Sequence, residues 1–212
     1  MISVILPTVR PGNIHEAVRS IFESCQENDI EIIIVADFQD DNLSKRNDVL
    51  WIYQPERKGV ISAVNEGIGC ARGEYYFCTN DEAALARGCL DNLKKFCEEH
   101  ENNIIACPRH FPYFPFYYYG KFFAAFPFAH RELINKIGGF FDARYKAFYA
   151  DPDLSLRAYE AGYEVKECPN ASLVHNNSMA CEAHKINVSK YVLSDRETFR
   201  KRWDHLGEFV DP

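Results

Sequence analysis

Gly73-Glu74-Tyr75-Tyr76-Phe77-Cys78-Thr79-Asn80-Asp81-Glu82 is the stretch that decides the fold. The apolar run Tyr75-Tyr76-Phe77-Cys78, entered from Gly73, predicts a buried strand. Two carboxylates and an amide at the mouth of such a strand are costly unless something binds them. In open α/β sheets, ligands gather outside the carboxyl ends of the strands. Oxygen donors there suit a hard divalent cation carrying substrate phosphates. Taken alone, the tetrapeptide Thr79–Glu82 serves equally well as a polar turn that caps the next helix.

Working outward, strands and helices alternate. Strands are predicted at 2–6, 31–35, 49–53, 75–78 and 103–107. Between them fall a helix after Asn13, a helix over 60–71 and a helix over 85–100. Asn13 is suited to cap the first, whose residues Ile14, Ala17, Val18, Ile21, Phe22 and Cys25 keep helical spacing. Such alternation predicts an α/β fold: a mainly parallel or mixed central sheet with helices on both faces. The second half differs. Residues 111–128 are crowded with aromatics and broken by Pro112, Pro115, Gly120 and Pro127. A short helix at 131–137 follows, then a helix capped by Asp151 with Pro152 at its first position. Two strands, 164–168 and 171–175, precede a polar tail that carries Phe199 and Trp203 at helical spacing.

The composition, 47% hydrophobic and 26% charged, is that of a globular chain with a substantial core. A formal charge of -7 argues against a general nucleic-acid binder, though not against a nucleotide held at a local basic site. The eight cysteines form no C-x-x-C pair, and no apolar run reaches the ~18 residues of a membrane span. With no leader before the first strand, a reducing, cytoplasmic location is expected. The Asn-x-Ser sequons at Asn170, Asn176 and Asn187 would then be accidental.

Acidic groups fall at Asp37, at Asp81 and Glu82, and at Asp151, all at strand ends or helix starts, so a doubly wound sheet brings them to one edge. Asp37 suits a nucleobase or ribose, or merely a turn. Asn65 sits in an otherwise small, apolar helix, as a hydrogen-bonding group or a structural one. Arg57 and Lys58 precede that helix, where they can neutralise phosphate or form a solvated basic turn. Asp151, at a helix start that favours the ionised carboxylate, is a candidate general base or an ordinary cap. His175 closes a strand, where a structural histidine is the commoner outcome. The aromatics can offer a stacking surface for a sugar, although core packing accounts for most of them. Dinucleotide, P-loop, nucleophile-elbow and zinc motifs are all missing.

Order then adds what single residues lack. Ile2–Thr8, residues 31–37, Ala63-Val64-Asn65-Glu66-Gly67 and Ala71-Arg72-Gly73-Glu74-Tyr75-Tyr76, leading to Asn80-Asp81-Glu82, resemble the nucleotide-binding half of the family 2 glycosyltransferases. Gly138-Gly139-Phe140-Phe141-Asp142, then 150–157, Gly162-Tyr163 and His175, resemble the acceptor half. The resemblance implies a GT-A fold over 1–188, with donor half 1–107 and acceptor half 108–188, and a helical extension over 189–212. It implies an inverting transfer of a hexose from a nucleotide-diphosphate sugar, of UDP-glucose or UDP-rhamnose type, to a glycan or glycoconjugate. Pro7, Thr8, Arg10, Asp37, Lys58, Asn65, Asn80 and Asp81 would hold the donor. Asp81, Glu82 and His175 would hold Mn2+ or Mg2+, and Asp151 would be the catalytic base. Two departures stand out: Asn80 and Glu82 replace the aspartates that bound the usual metal motif, and Ala150 replaces the acid that often precedes the base. The resemblance extends to transferase domains of larger glycan-building proteins. A nucleotidyltransferase making nucleotide sugars would want a better phosphate loop than Arg10-Pro11-Gly12. A non-catalytic glycan-binding module gives no reason for the ordered acids.

Overall fold

β1 (Ile2–Thr8), β2 (Ile30–Ala36) and β4 (Tyr75–Cys78) are buried along their whole length, as strands covered on both faces must be. The computed structural model describes residues 1–26, 29–112, 117–176 and 182–209, with backbone alone for 182–184. β1 lies between β2 and β4 and pairs with both in parallel, while β3 (Val49–Tyr53) continues the parallel set beyond β2. The chain therefore winds one way from β1 through β2 to β3, then returns to the other side of β1 as β4. That reversal leaves a crevice at the carboxyl ends of β1 and β4.

Alternate residues of the strands feed two cores. Ile2, Val4 and Leu6 pack with α1 (Ile14–Glu23) and α3 (Cys89–Glu99) on one face. Ile5 packs on the other with α2 (Val60–Cys70), α4 (Arg131–Lys136), α5 (Ala150–Glu160) and α6 (Glu182–Trp203). Gly67 lets α2 approach β1, since a Cβ there would lie 2.8 Å from the Ile5 side chain.

A buried carboxylate sets the entry to β4. Glu31, inside β2, accepts hydrogen bonds from the Ser3 hydroxyl (2.6 Å), the Arg72 backbone N–H (2.6 Å) and the Arg72 guanidinium (2.8 Å). Gly73 is obligatory in this turn: a Cβ would sit 2.6 Å from the Ser3 hydroxyl and 2.8 Å from the Met1 carbonyl oxygen. The turn thus fixes how far β4 runs before it delivers Asp81.

Several elements depart from expectation. The helix expected from 85 starts at Cys89, because β5 (Ala83–Leu85) pairs antiparallel with the end of β10 (Glu164–His175). β10 joins the two strands predicted at 164–168 and 171–175, with a register shift between Cys168 and Ser172 where it runs beside β6 (Ile104–Phe111). β7 (Tyr117–Tyr118) and β8 (Lys121–Phe122) form a hairpin in the aromatic stretch, and β9 (Phe128–His130) slots antiparallel between β4 and β6. Strands of two or three residues are too short to show a period. Asn13 occupies the cap position of α1 but makes no side-chain cap hydrogen bond. α6 starts at Glu182, so the boundary expected at 188/189 falls inside a helix, and Phe199 and Trp203 are fully buried in the core shared with α2, α4 and α5.

Candidate active site

The carboxyl ends of β1 and β4 open into a cavity of about 360 Å³. Pro7, Thr8 and Arg10 reach it from the end of β1, Asp37 from the end of β2, and Asn80, Asp81 and Glu82 from the end of β4. Topology thus brings these residues together, as expected of the switch point.

Asp81 is buried and heavily engaged. The Thr8 hydroxyl donates to its Oδ2 at 2.5 Å, and Arg10 Nε donates to the same oxygen at 3.0 Å. A second Arg10 nitrogen meets Asp81 Oδ1, and the third pairs with Glu82. Burial works against the charge on Arg10, but hydrogen bonds to and attraction by both carboxylates outweigh it and push its pKa up. Asn80 folds back to accept from the Glu82 N–H at 3.0 Å, and its amide nitrogen lies 3.2 Å from His175 Nε2. Asp37 accepts from Arg57 at 2.6 Å.

Two expected donor residues lie elsewhere. Asn65 spends its side chain on Phe141, donating to the carbonyl at 2.8 Å and accepting from the N–H at 3.3 Å. It ties α2 to the Gly-Gly-Phe-Phe turn and does not line the cavity. Lys58 is exposed and outside the lining; its neighbour Arg57 is the basic residue that faces in.

A second cavity, of about 490 Å³, adjoins the first along Pro7, Val60 and Asn80. Asp151 and His175 line it among the aromatic walls of Phe126, Phe141 and Tyr149. Asp151 does not cap α5, as its sequence position suggested. The helix begins at Ala150, with Tyr149 as the cap residue in left-handed conformation (φ 62), which places Asp151 within the first turn. Its carboxylate accepts no hydrogen bond from the described residues, and burial alone pushes its pKa up to about 7. The helix start had suggested a favoured ionised form; desolvation by the apolar walls wins instead. Burial likewise holds His175 below its ordinary value. Asp153, two residues on, is structural: fully buried, it binds Arg157 Nε (2.9 Å), the Tyr145 hydroxyl (3.1 Å) and Trp203 Nε1 (3.1 Å).

Two adjacent carboxylates at a strand mouth have the right donor chemistry for a hard divalent cation. As they stand they serve Arg10, and among the described residues no three His, Cys, Asp or Glu side chains converge to hold an ion. Any cation there must compete with the guanidinium.

The profile of glycosyl transferase family 2 matches residues 3–157. The chain belongs to that family. It is 27% identical over 154 residues to Glycosyltransferase GlyG of Streptococcus pneumoniae serotype 4, a match covering 66% of this chain and 50% of that one. The chain thus spans half the length of this relative. In fold it is similar to the mannosyltransferase PcManGT from Pyrobaculum calidifontis in complex with GDP-Man and Mn2+, with TM-score 0.71 and 19% identity over 99% of this chain and 65% of that one. GalNAc-T7 with UDP, GalNAc and Mn2+ gives TM-score 0.75 at 11% identity, over 97% and 49%. The architecture of this family 2 chain is GT-A: a curled, mostly parallel sheet between helical layers.

Sequence reasoning expected a helix over 189–212 but missed its start at Glu182 and its place at the first cavity, which α6 lines with Ile186, Asn187, Lys190 and Tyr191 although it lies beyond the matched residues. No local signal pointed to that role, because this polar face reads as solvated.

Proposed function

We propose that this family 2 chain transfers a hexose from a nucleotide-diphosphate sugar to a hydroxyl of a glycan or glycoconjugate, with inversion. The observation that carries the reading is Asp151: a carboxylate with no hydrogen-bond donor among the described residues, facing a cavity that meets the acid-and-arginine cavity at Asn80. The nucleoside and diphosphate would occupy the first cavity, near Thr8, Asp37 and Arg10, and the acceptor the second. Asp151, with its pKa near neutrality, would take the proton of the acceptor hydroxyl as that oxygen attacks the anomeric carbon. The bond from that carbon to the diphosphate oxygen breaks on the opposite side, which inverts the centre. The apolar walls would exclude water as a competing acceptor.

A divalent cation, Mn2+ or Mg2+, belongs to the same reading. It is supported by the Mn2+ of both named structural neighbours and by the oxygens of Asp81 and Glu82, with His175 nearby through Asn80. Those carboxylates would hold the ion in exchange for Arg10, and the ion would offset charge on the departing diphosphate. A uridine donor fits the family resemblance, and the GDP-Man of PcManGT makes guanosine the next candidate. Cys70, Cys78, Cys89, Cys97, Cys107 and Cys168 form no disulfide, which suits a reducing, cytoplasmic setting, and no described helix is long and apolar enough to cross a membrane.

A thermal-shift series with UDP-, GDP- and dTDP-sugars, each with and without Mn2+, tests the donor half of the reading. A cognate donor should raise the melting temperature through binding to the native state alone. Should every nucleotide sugar leave it unmoved under both conditions, the donor assignment falls.

A further inference from the structure

Charge at the first cavity is nearly all committed. Arg57 is paired with Asp37, and Arg10 with Asp81 and Glu82. Lys190, from α6, is the cavity-lining cation with no carboxylate partner among the described residues. The hydroxyl of Tyr191 beside it has no hydrogen-bond partner among them either. Residues 186, 187, 190 and 191 recur at helical spacing, so one face of α6 is turned to the cavity.

The position of that face is fixed from below. Asp195, 1% exposed, accepts hydrogen bonds from the backbone N–H groups of Lys146 (3.1 Å), Ala147 (2.8 Å) and Phe148 (2.9 Å). The same loop reaches α2, since the Lys146 carbonyl accepts from the Ile61 N–H at 3.2 Å. A Cβ at Gly59 would lie 2.6 Å from that carbonyl oxygen, so the loop, α2 and α6 share one tight junction.

We propose that Lys190 is a donor-binding residue supplied from outside the family-matched segment. Its ammonium pairs with the diphosphate of the nucleotide sugar, with the Tyr191 hydroxyl donating alongside and Asp195 as the positioning residue. This rests on the first cavity being the donor site. A diphosphate brings negative charge into a cavity whose other cations already face carboxylates, so an uncommitted ammonium there has the larger electrostatic effect.

Calorimetric titration of wild type, Lys190→Met and Lys190→Arg with UDP, GDP and the two parent nucleosides, in Mn2+ buffer, tests it. Lys190→Met should bind the cognate diphosphate about tenfold more weakly, the size of one charge-assisted hydrogen bond. Its affinity for the nucleoside should be unchanged, and Lys190→Arg should stay close to wild type. Equal diphosphate affinity in Lys190→Met and wild type overturns the assignment while leaving the donor cavity intact. Equal losses in the Met and Arg variants overturn the role of charge. Wild type binding neither diphosphate would remove the donor-site reading and this inference with it.

Discussion

Arg10 holds Asp81 by both carboxylate oxygens at the switch point between β1 and β4, with its remaining nitrogen on Glu82. A resident guanidinium thus stands where the oxygens of the strand mouth would otherwise attract a metal. Removing it exposes two neighbouring carboxylates, one of them buried, to each other.

For Arg10→Gln, the expected result is a loss of about 3 kcal/mol in stability, since a buried carboxylate loses its charged partner. Millimolar Mn2+ should recover part of that loss and do little for wild type without nucleotide. Denaturant melts at several Mn2+ concentrations measure both effects. Equal Mn2+ responses in the two proteins would mean that Arg10 and the cation do not compete.

Asp151→Asn keeps the shape of the second cavity and removes the proposed base. Transfer should fall by about 10²–10⁴-fold, with donor affinity retained. Single-turnover assays alongside donor titration separate the two quantities. Undiminished transfer would take the base role away from Asp151.

The pKa near 7 carries two consequences of opposite sign. Turnover should rise with pH through about 7 and then level off as the carboxylate ionises. Stability should move the other way. Between the ordinary value of 3.8 and about 7, the native state holds a proton that the unfolded chain has released. The contribution is therefore complete below 3.8 and lost as pH rises through about 7. Asp151→Asn should melt higher than wild type at pH 8 and match it near pH 4. A variant no more stable at pH 8 would show that the carboxylate is solvated.

Asp153 tests the frame under the site. Asp153→Ala strands Arg157 in the core and removes the acceptor of Trp203 Nε1. Urea unfolding should register about 3–5 kcal/mol of destabilisation. A loss confined to activity, with stability unchanged, would instead place Asp153 in the chemistry.

Much of the fold is local and so was legible beforehand. β1, β2 and β4 are continuous apolar runs bounded by turn residues, and α1 keeps its apolar stripe. β9 was not legible, because its three residues gain their pairing only from β4 and β6 on either side. β5 escaped for the same reason, its backbone being claimed by the distant end of β10. At the first cavity, Asp37, Asp81 and Glu82 could be gathered in advance because a parallel sheet places strand carboxyl ends on one edge, while Thr8, Arg10 and Asn80 entered through the family resemblance. Asn65 and Lys58 could not be sorted from Arg57, since a helix start does not reveal which neighbouring side chain turns inward.

The amino-acid sequence by itself determined the apolar strands β1, β2 and β4 and the acids at the mouth of β4, because apolar period and turn chemistry act over a few residues. The tertiary structure alone decided what those acids do. It set Arg10 against Asp81 across the switch point, desolvated Asp151 with aromatic walls, and laid α6 beside the first cavity through Asp195. Charge pairing and desolvation depend on distances between segments far apart in the chain, and only the folded packing fixes those distances.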